Sequence, residues 1–189
     1  MIALTPSRIA EILHAPVNNV SEHWPKIAEC LESLGIGSEA TAIAALATIR
    51  VECPPFRPVK EYGTDQAHEK SYGGRQDLGN IHPGDGARYA GRGFVQITGR
   101  NNYEYYGKQL GVNLVADPDA ALEPNTAAMI FALYFKEHKV DVAANQGDWA
   151  KVRRLVNGGL NGFGEFRHYI RSLEDAVGPV PDVTGEISL

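Results

Sequence analysis

Residues 39–52 read EATAIAALATIRVE, an alanine-rich run that is apolar around most of a helical circumference. A helix on the surface keeps a polar face, so a helix without one has to be surrounded by other elements. Ser38 offers an N-cap hydroxyl. Cys53-Pro54-Pro55 ends the run, because proline lacks the backbone donor and restricts the residue before it. The chain is therefore expected to build its domain around this segment. With 189 residues, 43% of them hydrophobic and 22% charged, it has enough material for one sizeable core.

The neighbouring segments also read as helices. Thr5-Pro6 is a cap followed by proline at the first helical position, and Ile9, Ile12 and Leu13 share one face before Pro16. Trp24, Ile27, Ala28, Leu31 and Leu34 form a stripe on a helix over 21–34, closed by Gly35. A helix over 101–110 stops at Gly111, and a longer one carries Ala128, Phe131, Ala132 and Phe135 at core spacing. Another spans 148–156, and a last one beyond Gly162 carries Glu165, Arg167, Tyr169 and Arg171. Residues 55–86 read as irregular, with a short strand or hairpin near 56–62 and Tyr72. The pattern predicts one mainly α domain over 1–178, with about seven to nine helices and at most a small β-hairpin. Residues 179–189 have little to bury and read as a flexible tail.

The net charge of −5, from 18 basic and 23 acidic residues, argues against a protein that tracks nucleic-acid phosphates. No run is long and apolar enough for a transmembrane helix. The N-terminus has no basic segment followed by an apolar one, so synthesis in the cytoplasm without a signal peptide is expected. Cys30 and Cys53 fit no metal-ligand spacing and read as two reduced, partly buried thiols.

Glu52 is the residue with chemistry on it, a carboxylate in the last turn of the central helix. The helix dipole and apolar surroundings both favour its protonated form there, the form a general acid needs. The plainer alternative is a Glu that pairs with an arginine or reaches water. Glu61 follows across the Pro-Pro turn and can share a cleft with it. Glu69 competes for that role, although His68-Glu69-Lys70 reads as an exposed charged turn. Asp77, His82 and Asp85 fit loop formation better than a metal site. Downstream, residues 78–103 are glycine-rich yet hold Arg88, Tyr89, Arg92, Phe94, Gln96, Thr98, Asn101 and Asn102. That mixture suggests a tightly folded backbone on which polar and aromatic groups converge to grip a polar, ring-shaped ligand. No cofactor is implied.

YAGRGFVQITGRNNYEYYG, followed further on by RRLVNGGLNGFGEFRHY, resembles glycoside hydrolase family 19 chitinases, and most of all their short-loop relatives among phage endolysins and bacterial cell-wall lysozymes. Weaker similarity runs through YGGRQDLGNIHPGDG and the helix ending at Glu52, so the resemblance covers roughly residues 5–175. It implies a lysozyme-like α+β fold with Glu52 as general acid and Glu61, nine positions on, as general base. It implies Thr98, where relatives commonly carry Ser, as the hydroxyl holding the attacking water. Gln96 and Asn102 would contact sugar, Asn157 and Arg167 would lie near the base, and Tyr72, Tyr89 or Phe94 could stack on sugar faces. The family often has His before the acid, whereas this chain has Val51. An inverting mechanism would separate the carboxylates by about 6.5–9.5 Å. The implied activity is hydrolysis of β-1,4 bonds in peptidoglycan, with chitin as the alternative polymer, by a monomer that reaches the wall through a holin. A catalytically inactive glycan-binding relative is the reading outside the enzyme class.

Overall fold

In the computed structural model, which describes residues 2–178, the first two helices pack on each other. α1 (Pro6–Leu13) is capped by the Thr5 hydroxyl on the Arg8 N–H and buries Ile9, Ala10 and Leu13. α2 (Val17–Ser33) begins one turn earlier than its apolar stripe suggested, because Val20 is also fully buried. Pro25 then falls inside the helix, where its missing N–H leaves one intrahelical bond unmade. α3 (Glu39–Glu52) starts at the Ser38 cap and buries every residue from Thr41 to Ile49. It is the central helix expected, packed against three later helices.

The stretch after α3 is more ordered than its sequence suggested. Phe56 is fully buried in a left-handed conformation (φ 53°), which anchors the Pro-Pro turn to the main core. β1 (Val59–Lys60) follows. Residues expected to be irregular then form α4 (Asp65–Tyr72), capped by Thr64, and the single-turn α5 (Asp85–Arg88). The turn expected at His68-Glu69-Lys70 is thus the middle of a helix, with His68 buried. β2 (Arg92–Gly93) pairs antiparallel with β1, Val59 opposite Gly93 and Lys60 opposite Arg92. The expected short strand near 56–62 is present, but its partner comes from the glycine-rich stretch and not from around Tyr72, which lies in α4.

The remaining helices are α6 (Arg100–Leu110), α7 (Pro124–Glu137), α8 (Val140–Asn145), α9 (Trp149–Asn157) and α10 (Phe163–Val177). Counting the short α5 and α8, ten α-helices stand among the described residues, slightly more than the seven to nine expected. α8, α9 and α10 pack directly on α3, and α7 closes over α2. These contacts enclose the main core. A second, smaller core of Tyr89, Ile97, Tyr103, Tyr106, Leu114, Ala121 and Ile130 lies beneath the glycine-rich stretch, and Val95 packs on both. The expected flexible tail lies outside the described residues. No helix among those described is long and apolar enough to cross a membrane. Both cysteines are free thiols, with burial pushing each above its ordinary pKa.

Candidate active site

Glu52 closes α3 and is less buried than the residues before it, with 29% of its side chain exposed. Its surroundings are not the apolar ones expected. Arg153 of α9, itself almost fully buried, directs Nη1 onto Glu52 Oε1, and Asn157 Nδ2 donates to the same oxygen at 3.3 Å. Arg153 is oriented by a further bond from Nε to the Asn161 carbonyl at 2.7 Å. The plainer alternative, a carboxylate paired with an arginine, is therefore what the fold contains. Oε1 takes both contacts, while Oε2 makes no hydrogen bond among the described residues. Asn157 Oδ1 is buried without a partner, an acceptor left open beside the carboxyl.

Glu61 sits immediately after β1 and is held very differently. Its backbone N–H donates to the Gly91 carbonyl at 2.8 Å. The Gly91 N–H in turn donates to Glu61 Oε2 at 3.1 Å, and Tyr72 Oη donates to Oε1 at 2.7 Å. Both oxygens of the carboxylate accept a hydrogen bond. The carboxylate holds the Tyr72 phenol above its ordinary pKa, so Tyr72 stays a donor. A Cβ on Gly91 would lie 2.8 Å from Gln96 Oε1, 3.2 Å from Glu61 Oε2 and 3.3 Å from Thr98 Oγ1. Three polar side chains therefore meet over one backbone atom, and the absence of a side chain at residue 91 is what lets them.

Beneath that point the glycine-rich stretch is tied together by a buried arginine. Arg92 Nη1 donates to the carbonyls of Arg88 and Ala90 and to Tyr103 Oη, while Nε pairs with Asp119 at 2.8 Å. Nothing in the sequence distinguished Arg92 from the other arginines of the motif. Gln96 adopts a left-handed backbone (φ 52°), and its amide donates to the carbonyls of Val59 and Gly93, locking β1 to β2. Its Oε1 makes no hydrogen bond among the described residues. Thr98 Oγ1 donates to the Gln96 carbonyl at 3.1 Å, and Asn102 Nδ2 donates to the Thr98 carbonyl at 2.7 Å from an exposed position.

Other expected residues are placed differently. Glu69 lies outside the group that meets over Gly91: its two oxygens accept the Gly84 and Ala87 N–H groups, each at 3.0 Å, at the start of α5. Tyr89 and Phe94 are each 1% exposed and cannot stack on a ligand, leaving only Tyr72 of the three aromatics near the surface. Arg167 lines a groove with Asp148, Trp149, Phe163 and Glu174, and it makes no hydrogen bond to Glu61 among the described residues. Asn157 stands beside Glu52, on the acid side, rather than beside the base. Of the predicted residues, Glu61, Tyr72, Gln96 and Thr98 converge. Glu52 and Asn157 form a second group, and the missed member of that group is Arg153.

Comparison with known proteins bears on this arrangement. Residues 56–162 match the family model described as chitinase class I. A glycosyl hydrolase family 19 domain-containing protein of Haemophilus influenzae is 35% identical over 102 residues, which are 54% of this chain and 49% of that protein. An endochitinase of Arabidopsis thaliana is 40% identical over 77 residues, 41% of this chain and 27% of that one. The chain thus spans about half, or less, of the length of these relatives. Among solved structures, a bacterial family 19 chitinase superimposes with a TM-score of 0.68 at 20% identity, covering 94% of this chain and 96% of that one. Chitinase C from Streptomyces griseus gives 0.64 at 21%, covering 93% and 95%. At such identities the superpositions speak for the mainly α, lysozyme-like fold alone. The family match begins four residues after Glu52, so the acid rests on geometry, whereas the Gly91 cradle falls inside the match. On the strength of that match, the chain belongs to glycoside hydrolase family 19, the class I chitinase family.

Proposed function

We propose that the protein hydrolyses β-1,4 bonds in chains of N-acetylated aminosugars by single displacement, with Glu52 as general acid and Glu61 as general base. The observation that carries this is the contrast between the two carboxyl groups. Glu52 is gripped through one oxygen and leaves the other open, which suits delivery of a proton to a leaving oxygen. Glu61 is gripped through both oxygens, beneath the converging Thr98 hydroxyl and Gln96 amide oxygen, which suits holding and deprotonating a water. Attack by that water on the anomeric carbon breaks the bond to the leaving oxygen as Glu52 protonates it, and Glu61 takes the water's proton. The sugar emerges with inverted configuration. Arg153 cannot supply the transferred proton, because a guanidinium does not deprotonate near neutral pH. Its part is to fix the Glu52 rotamer.

For the polymer, the reading is peptidoglycan glycan strands, supported by the likeness of the two long motifs to short-loop endolysins and cell-wall lysozymes. Chitin is the second reading, favoured by the printed names of the plant relatives, which are endochitinases. Action on the bacterial wall after release through a holin, by a monomer, goes with the first reading. The test is digestion of both purified polymers, with mass spectrometry of the fragments and anomeric analysis of the first products. Fragments from peptidoglycan with inverted anomers support the full proposal, and fragments from chitin alone move the substrate to the second reading. Retained anomers overturn the water-activating role of Glu61, and release from neither polymer overturns the activity.

A further inference from the structure

Tyr62 is 87% exposed, the most exposed large apolar side chain among those described. Aromatic rings are usually buried, and a solvated one brings no packing gain to the fold. This ring is also not on a loose loop. The preceding peptide is tied to the glycine-rich stretch by the Glu61 N–H to Gly91 carbonyl bond. On the other side the Tyr62 carbonyl is 3.3 Å from Nε2 of buried His68, whose Nδ1 has no partner. Gly63 then takes φ 143°, with His68 Nε2 only 2.6 Å from where a Cβ would begin. No side chain fits there, so the imidazole presses directly on the backbone. The Thr64 cap and α4 follow at once. The backbone of Tyr62 is therefore clamped between β2 and α4 while its ring stands in water.

Its place along the chain gives the ring a use. Tyr62 directly follows Glu61, so its Cα is about 3.8 Å from that of the base. The ring therefore projects from the residue next to the base. We infer that Tyr62 is a substrate-stacking residue, a flat apolar platform for the C–H face of a sugar next to the bond that is cut. A ring on a clamped backbone loses little freedom on contact, and aromatic side chains with two torsions are efficient in that role. Tyr89 and Phe94, the stacking candidates suggested by the motif, are sealed in the cores, so an exposed aromatic beside the base has to come from outside the motif. The inference rests on the glycosidase reading and adds to it a residue that selects extended sugar chains.

The test compares wild type with Tyr62→Ala, Tyr62→Phe and Tyr62→Trp, first by co-sedimentation with insoluble peptidoglycan and chitin. KM and kcat are then measured on whichever polymer wild type cleaves. Tyr62→Ala is expected to weaken sedimentation and raise KM about tenfold, the order of effect of one stacked aromatic, with kcat within about twofold. Phe and Trp should retain wild-type values, and all three thermal midpoints should match wild type because the ring packs on nothing. An unchanged KM for Tyr62→Ala overturns the inference, and so does a loss in Tyr62→Phe as large as in Tyr62→Ala. If wild type cleaves neither polymer, the glycosidase reading fails by itself. Sedimentation then decides the platform: weaker binding by Tyr62→Ala sustains it, and equal or absent binding removes it.

Discussion

The two carboxylates are held by different means. Glu52 ends a helix of the main core and is gripped by side chains alone, Arg153 and Asn157, which lie 101 and 105 residues away in sequence. Glu61 follows a two-residue strand and has one side-chain partner, Tyr72 Oη, but is otherwise held by backbone: the Gly91 N–H on its carboxylate and the Gly91 carbonyl on its own N–H, beside a Gln96 amide bound to two main-chain carbonyls. Side-chain grips can shift by one rotamer, whereas main-chain groups tied into a sheet and a second core cannot. A donor that must turn toward a leaving oxygen tolerates the first arrangement. A base that must hold a water at a fixed point needs the second.

Glu52→Gln attacks this division where the effect should be largest. The amide keeps the shape and an oxygen for Arg153 but has no proton to deliver. Release of reducing ends should fall by about a thousandfold or more, with the thermal midpoint near wild type. A variant that keeps a tenth of the rate would show that Glu52 is only an ion-pair partner of Arg153.

The base side is tested by paired variants. Glu61→Gln should cost on the order of a hundredfold or more in rate. Glu69→Gln should leave the rate near wild type but cost about 1 kcal/mol of stability, because it removes the charge from a carboxylate that accepts two N–H groups at the start of α5. Thermal melts and rates measured on the same preparations separate the two roles. The reverse ranking would move the base to Glu69 and leave the Gly91 cradle without a catalytic purpose.

The same division explains what could be read from the sequence. α3 was legible because a segment apolar all round has only one place to go, and its end at Glu52 was marked by two prolines. The grouping of Gln96 and Thr98 was legible because it lies within one local motif. Arg153 was not, since a pairing across 101 residues leaves no local pattern and Arg153 stands beside Arg154, which is exposed. α4 was hidden by its composition: its only buried residue is His68, so it shows no apolar stripe. Tyr89 and Phe94 misled for a related reason. Aromatics in a glycine-rich binding motif suggest ligand contact, but here they build the two cores under it, a distinction that only tertiary packing makes.

Alkaline pH should loosen the base side in particular. Burial pushes the Tyr103 phenol up to about 12 from an ordinary 10.0, against the opposing pull of Arg92. The folded state thus keeps this proton where the unfolded chain has lost it, so its contribution is intact below about pH 10 and disappears as pH rises through about 12. The loss over that window is on the order of 2 kcal/mol. Tyr106, in the same small core, is shifted in the same direction. Chemical denaturation across the alkaline range should show the fall, and Tyr103→Phe should flatten it while lowering stability near neutral pH by the loss of the Ala90 and Arg92 contacts. A Tyr103→Phe profile as steep as wild type would place the alkaline weakness elsewhere.

Thr98→Val is the finest probe, because it changes one atom of the cradle. Valine keeps the branched shape, so the second core and the Thr98 carbonyl that anchors Asn102 should be undisturbed. What disappears is Oγ1, which in the free protein donates to the Gln96 carbonyl and therefore turns its lone pairs outward. A hydroxyl that already has an acceptor for its proton is fixed as an acceptor itself, the right polarity for a water whose other proton goes to Glu61. Losing it removes orientation but no proton transfer, so kcat should fall about tenfold with KM and the thermal midpoint near wild type. The decisive reading is the double variant with Glu61→Gln. If Thr98 acts only by aiming water at that carboxylate, removing both should cost little more than removing Glu61 alone. Two losses that multiply would mean that Thr98 acts independently of Glu61, and the main-chain cradle would then be holding two separate devices rather than one water.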